Sequence, residues 1–274
     1  MRRSWILIGC GYTGAHLARR LAPSGDELIL VRRDLASIEP LAQELGARAV
    51  AADLAKPETL APLPWRDALV VHLAPPALPD GAAEHHLATL ANDAARIVYV
   101  SSTGVYAPAQ GAWVDESWPI APATASGAAR VAAERALLAA HERVVILRAA
   151  GIYGADRGVA QRLRDGTMRI IGDGSAHTSR IHVEDLAAAI EAAARADHPS
   201  PIYNVADRDP CPAAEHADGA AAILGLPPPP RVAPDTVPAE VAGMLLADRR
   251  IDARKLEREL GWVPRYPSWR DSLH

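Results

Sequence analysis

Short unbroken apolar runs and longer stretches with apolar residues at helical spacing alternate along this chain. Trp5-Ile6-Leu7-Ile8 is too short for a globular helix. It ends in Gly9-Cys10-Gly11-Tyr12-Thr13-Gly14, after which Ala15 to Leu21 carries apolar residues at helical spacing. That order predicts strand, tight turn, helix. Glu27 to Val31 predicts a second buried strand ending in Arg32-Arg33, and a helical segment from about Ala36 to Leu45 stops at Gly46 as at a C-cap. Arg48 to Leu54 reads as a third strand running into Asp53, and Leu69 to Ala74 as a fourth, stopped by Pro75-Pro76. An Ala-rich helix is expected from Ala82 to Ala95, then a fifth strand, Arg96 to Val100, opening onto Ser101-Ser102-Thr103-Gly104-Val105-Tyr106. A helix from Pro122 to about Ala140 and a sixth strand, Arg143 to Arg148, lead to Gly151-Ile152-Tyr153-Gly154. Buried strands alternating with helices predict an α/β fold: a doubly wound parallel sheet covered on both faces.

Beyond Gly151 the pattern changes. Arg157 to Ser179 is rich in Gly and charge, Ile181 to Asp185 opens a helix to about Ala196, and Ile202 to Val205 is a short strand. The last seventy or so residues are rich in proline, including the run Pro227 to Pro230. The expected organisation is a dinucleotide-binding domain over residues 1–150, with 181–206 returning to it. A smaller substrate lobe takes 151–180 and 207–274.

The glycines of the first turn have separate tasks in a dinucleotide site. Gly9 turns sharply, Gly11 lets the backbone approach a pyrophosphate, and Gly14 lets helix and strand pack closely. The helix N-terminus then presents N–H groups and a positive dipole end. At the end of the second strand an acidic residue would accept from a ribose 2′-hydroxyl, whereas an arginine accommodates a 2′-phosphate. Arg32 and Arg33 therefore favour NADP(H) over NAD(H), with Asp34 as the residue that could still serve a ribose. Ligands of such sheets lie beyond the carboxyl ends of the strands, which draws attention to Asp53, to Ala74 to Pro76 and to Ser101 to Thr103.

Composition narrows the partners. With 274 residues, 49% of them hydrophobic and 23% charged, and a net charge of −4, the chain has a globular composition and no electrostatic footprint for nucleic acid or an anionic membrane. No apolar run reaches membrane-spanning length, and Met1-Arg2-Arg3 leads straight into the glycine loop, so a cytoplasmic location is expected. Cys10 and Cys211 are the only cysteines, with no metal-ligand spacing around them, and no metal site is expected.

Taken in order, these segments resemble the extended branch of the short-chain dehydrogenase/reductase superfamily, the NAD(P)-dependent epimerase/dehydratase group. The resemblance rests on Gly9 to Gly14, Ala52-Asp53-Leu54, His72-Leu73-Ala74 and Ser101 to Tyr106. It continues through Leu147 to Gly154, Arg180 to Leu186, Tyr203 to Asp207 and Glu259 to Pro264. It implies a Rossmann-type sheet with a C-terminal substrate lobe closing over a small-molecule substrate. In the cofactor site it implies Tyr12, Thr13, Asp53 against adenine, Leu54, Leu73, Ala74 and Pro75, with Ser102 at the position of the catalytic serine. It leaves the assembly as monomer or homodimer.

Two departures bear on chemistry. Ile8 stands where the usual loop has its first glycine. Counting back from Glu134 puts Ser126 at the position of the family's catalytic tyrosine and Arg130 at that of its lysine. A serine hydroxyl is a far weaker acid than a phenol beside a cation, and an arginine does not titrate in the working range. Arg130 could still hold the nicotinamide ribose. Tyr106, Tyr153 and His182 are the residues that could replace the tyrosine as proton donor, and Tyr153, Arg157, Arg180 and His182 are the expected substrate contacts, the arginines for an anionic group. Two readings stay open: an NADP-dependent oxidoreductase or epimerase on a small carbonyl or sugar-like substrate, and a catalytically impaired NADP(H) sensor.

The remaining polar clusters have structural readings. Glu184-Asp185 is expected to cap a helix, His85-His86 to be a solvated or interface pair, and Arg249-Arg250 with Arg254-Lys255 to form a solvated helix face. Trp262 and Trp269 are expected to pack the lobe against the main domain.

Overall fold

The computed structural model describes residues 3–273, so Met1 and Arg2 of the N-terminal reading lie outside the described residues. The apolar runs become the strands β1 (Ser4–Ile8), β2 (Glu27–Arg32), β3 (Arg48–Ala51), β4 (Leu69–His72), β5 (Arg96–Ser102), β6 (Val144–Ala149) and β7 (Ile202–Val205). They form one sheet in the order β7-β6-β5-β4-β1-β2-β3, with parallel register from β3 through β5. Both faces are covered: Trp5, Ile6 and Leu7 are fully buried, as is all of β6. Buried strands of this kind need continuous apolar sequence rather than alternation.

The periodic stretches become α1 (Tyr12–Leu21), α2 (Glu39–Leu45), α3 (Ala82–Leu90), α4 (Ala125–Ala140) and α5 (Val183–Arg195). On α1 the buried set is Gly14, Leu17, Ala18 and Leu21, the spacing of one helical face. Burying each such leucine contributes about 1.5–3 kcal/mol.

Several boundaries shift for local reasons. α2 starts at Glu39 because Asp34 to Ser37 form a turn of their own, in which Asp34 Oδ1 accepts from Ala36 N and Ser37 Oγ donates to Asp34 O. β3 stops at Ala51, since Asp53 N donates to Thr59 Oγ1. Arg180–His182 is a strand paired in parallel with Gly151–Tyr153, and α5 begins only at Val183.

The chain divides into two compact units. The first takes the chain up to Ser101, then Ala129–Arg148 and Leu186–Tyr203, and the second takes Ser102–Ala128, Ala149–Asp185 and the chain from Asn204 on. Residues 102–128, read from sequence with the N-terminal domain, thus group with the second unit. That unit contains α6 (Ala213–Ile223), α7 (Ala239–Leu245) and α8 (Arg254–Leu260).

Three expectations are corrected within the second unit. Asp185 is no cap: its carboxylate accepts from Arg265 N and Tyr266 N, both at 2.8 Å, and so anchors the C-terminal segment. Trp262 donates to Asp185 O, while Trp269 packs with Tyr153, Cys211 and Ala220; both find their partners inside the second unit. Arg249-Arg250 is not a helix face. Arg250–Ile251 pairs with Trp113–Val114, the Arg250 guanidinium lies 5.3 Å from the Trp113 ring centroid, and Arg249 is buried. Among the described residues no helix is long and apolar enough to cross a membrane.

Candidate functional site

The turn from β1 to α1 is fastened to β2, because Gly9 N and Cys10 N both donate to Val31 O. Gly9 has φ +78°, and a Cβ there would lie 2.6 Å from Ala74 N and from Ala74 Cβ. At Gly14 a Cβ would meet Cys10 Sγ at 3.0 Å and Leu73 Cδ1 at 3.1 Å. Gly11 differs. The nearest atom to its Cβ would be Gly9 O at 3.8 Å, so the fold itself does not demand a glycine there. An open cradle that a side chain would fill is what a backbone-bound phosphate needs. α1 has no acidic residue in its first turn and no side-chain cap, which leaves its N-terminal dipole to favour an anion. The residues present fit a dinucleotide.

Around this loop the other expected cofactor residues take varied positions. Leu73 N donates to Ile8 O at 2.8 Å, so Leu73 and Ala74 run beside the glycine turn, and Pro75 is exposed after them. Tyr12 and Thr13 are half-buried, with the Tyr12 ring 4.9 Å from that of His16. Arg32 and Arg33 are exposed at the end of β2. Burial pushes the Cys10 thiol up to about 11, and Arg32 is near enough to act against that rise. Asp53 Oδ1 accepts from Ala55 N at 3.1 Å, and Leu54 is buried.

At the end of β5 the first unit holds a buried polar network. Ser101 Oγ donates to Glu134 Oε1 at 2.5 Å, and Arg148 donates to the same carboxylate through Nε and NH2, the latter at 2.7 Å. One helical turn before Glu134, Arg130 NH1 lies 3.2 Å from Val100 O and 3.4 Å from Tyr99 Oη. Burial raises the Tyr99 pKa, against which Arg130 acts.

In the second unit Ser102 Oγ accepts from Gly104 N at 3.0 Å. Ser126 is exposed, and its hydroxyl donates to Glu240, which also accepts from Ala125 N and Ser126 N. Glu240 on α7 thus caps α4, and the Ser126 hydrogen bond holds its pKa below the usual carboxylate range. Tyr106 is fully buried with its hydroxyl donating to Asn204 Oδ1 at 2.7 Å, a core contact rather than a proton donor's position.

The expected substrate residues separate. Tyr153 and Arg180 line a cavity of about 210 Å³ together with Arg162, Arg169 and His216. Arg180 is buried and donates to Thr178 O and Oγ1, while burial raises the Tyr153 pKa beyond the ordinary phenol range. His182 is stacked on Tyr266 at 3.8 Å and accepts at Nδ1 from Glu184 N, so it works as framework. Arg157 is exposed, in a turn closed by Gly154 N donating to its carbonyl.

A second cavity, of about 160 Å³, brings together Ser102, Thr103, His177, Ser179, Asp248 and Arg249. Of these the sequence reading singled out only Ser102 and Thr103 for this purpose. His177 and Asp248 are joined at 2.9 Å across 71 residues, a separation no local spacing reveals.

Known proteins agree with this architecture. A relative from a Streptomyces species, 3-diazoavenalumate denitrifying reductase, is 33% identical over 126 residues, and the match spans 44% of this chain and 41% of that protein. A functionally unknown conserved protein from Silicibacter pomeroyi is 30% identical, with 99% of this chain and 96% of that one covered at a TM-score of 0.81. The dTDP-glucose 4,6-dehydratase from Streptomyces venezuelae, solved with NAD bound, shares the fold at 23% identity and a TM-score of 0.82, over 99% of this chain and 94% of its own. The model of the NAD dependent epimerase/dehydratase family matches residues 5–206. With that span covering all but the first residue of the sheet, and the glycine turn, the chain belongs to the NAD dependent epimerase/dehydratase family.

Proposed function

We propose that this protein binds NADP(H) and acts as an oxidoreductase or epimerase on a small carbonyl or sugar-like compound. The observation that carries the cofactor choice is at the end of β2. Arg32 directly follows Val31, whose carbonyl accepts from Gly9 N and Cys10 N of the glycine turn, whereas Asp34, the acidic residue that could serve a ribose, turns its carboxylate to Ala36 N. An arginine in that place suits a 2′-phosphate. Gly9, Gly11, Tyr12, Thr13 and Gly14 would hold the pyrophosphate, Asp53 and Leu54 the adenine end, Leu73 to Pro75 and Arg130 the nicotinamide end. When bound, the dinucleotide supplies or accepts hydride. Ser102, whose Oγ accepts from Gly104 N, keeps its own proton to donate to a substrate oxygen. The family and a relative named as a reductase support hydride chemistry.

The sensor reading draws on Ser126, whose hydroxyl is committed to Glu240. Calorimetric titration with NADPH and NADH, on the native protein and on Arg32→Ala, tests the cofactor. NADPH should bind more tightly than NADH, and Arg32→Ala should weaken NADPH about tenfold or more, the worth of one charge-assisted contact, with little effect on NADH. Equal affinities untouched by the substitution would count against it. A screen of carbonyl compounds with NADPH then separates enzyme from sensor.

A further inference from the structure

The 160 Å³ cavity of the second unit is lined by a histidine–carboxylate pair, a buried arginine and the Ser102 hydroxyl. His177 Nδ1 lies 2.9 Å from Asp248 Oδ1, and His177 N donates to the same oxygen at 2.7 Å. A carboxylate only accepts, so Nδ1 carries a proton in either charge state of the ring, and Nε2 is left as the site where a second proton is gained or lost. Asp248 has φ +46°, in the left-handed region that aspartate enters more readily than most non-glycine residues. Here Gly111 N donates to Asp248 O at 2.8 Å, and Arg249 N to His177 O at 3.2 Å.

The next residue supplies a charge. Arg249 is 8% exposed, its NH1 donates to Thr103 O, and its Nε has no partner. Among the described residues it forms no ion pair, and burial draws its pKa below the usual arginine value. A buried cation without a counter-charge is costly unless a bound anion completes it.

We propose that this cavity takes a small carbonyl compound bearing its own carboxylate, a 2-oxo acid or the corresponding 2-hydroxy acid, with His177 as the proton-transferring residue. Arg249 receives the carboxylate, the Ser102 hydroxyl and His177 Nε2 meet the carbonyl oxygen, and Asp248 positions the imidazole. The assignment rests on the reading of the chain as a hydride-transferring protein, and it supplies the acid that Ser126 cannot be. On reduction the carbonyl carbon gains the hydride given up by a reduced nicotinamide dinucleotide. The C=O π pair moves to oxygen, and oxygen takes the proton from the His177 imidazolium. An alcohol and a neutral imidazole result, and water reprotonates the ring.

The test uses the full chain labelled with ¹⁵N-histidine and oxamate, an unreactive mimic of a 2-oxo acid. Long-range ¹H–¹⁵N spectra should show His177 as the Nδ1–H tautomer when neutral. Asp248→Asn should remove that bias while the other histidines are unchanged. Oxamate, titrated with NADPH present, should shift the His177 Nε2 resonance, and Arg249→Lys, which keeps the charge but loses the planar fork, should weaken its binding about tenfold or more with NADPH affinity unchanged. An Nε2–H tautomer, or oxamate that fails to bind or ignores Arg249→Lys while NADPH still binds, would overturn the assignment and leave the dinucleotide reading standing. Loss of dinucleotide binding in the native protein would strike that reading itself.

Discussion

Gly9 and Gly11 stand two residues apart in one turn, and replacing each by alanine should have opposite consequences. At Gly9 the backbone is left-handed and the new Cβ would lie 2.6 Å from Ala74 N. The conformation costs about 1–2 kcal/mol and the overlap with a packed backbone about 1–3, so Gly9→Ala should lose about 2–5 kcal/mol. For a chain of this size each kcal/mol moves the melting temperature by about 2–4 °C, which predicts a drop of about 4–20 °C. At Gly11 the nearest atom to a Cβ is 3.8 Å away, and the melting temperature should stay within about 4 °C of native. The methyl group would instead stand where a pyrophosphate must approach, and NADPH affinity should fall about tenfold or more. Thermal melts and calorimetry on the two variants read both effects. If Gly11→Ala melts as low as Gly9→Ala, or binds NADPH as well as the native protein, the cradle argument is refuted.

Two further outcomes follow from buried charges. Glu134→Gln takes the opposite charge away from the buried Arg148 guanidinium, which should cost about 3–5 kcal/mol; a urea midpoint equal to native would contradict this. Burial pushes Asp207 up from 3.8 to about 7, with Arg180 acting against the rise. Because the folded state holds this proton where the unfolded chain has released it, stability should fall as pH rises from about 4 to 7 and level off above. Asp207→Asn should shrink the difference in melting temperature between pH 5 and pH 8, and an unchanged difference would remove Asp207 as its cause.

The features that follow from sequence here are those written in adjacent residues. An apolar run, a glycine turn and a periodic stretch define β1 and α1, and Arg130 stands one turn before Glu134 because helical spacing is fixed. Glu134 then gains a meaning that counting could not supply, as the buried acceptor for Ser101 and Arg148. Two-residue strands such as Arg250–Ile251 leave no periodic trace, so a run of arginines looks like a solvated helix face. Asp185 looks like a cap because acidic residues at helix starts usually are, but its partners are the backbone N–H groups of Arg265 and Tyr266, eighty or so residues onward. The His177–Asp248 pair is invisible for the same reason, since tertiary contacts between irregular segments have no spacing rule.

The division of the chain into two interleaved units has a consequence for synthesis. The polypeptide passes between them after Ser101, Ala128, Arg148, Asp185 and Tyr203. When β1 to β4 have left the ribosome, β4 still lacks its neighbour β5, and the sheet is not complete until β7 has emerged. For most of translation a growing, strongly apolar sheet therefore exposes an unpaired edge, the condition in which nascent chains aggregate or recruit chaperones. A chain cut before Tyr203 lacks sheet residues of the first unit, and one begun after Ser101 lacks β1 to β4 altogether.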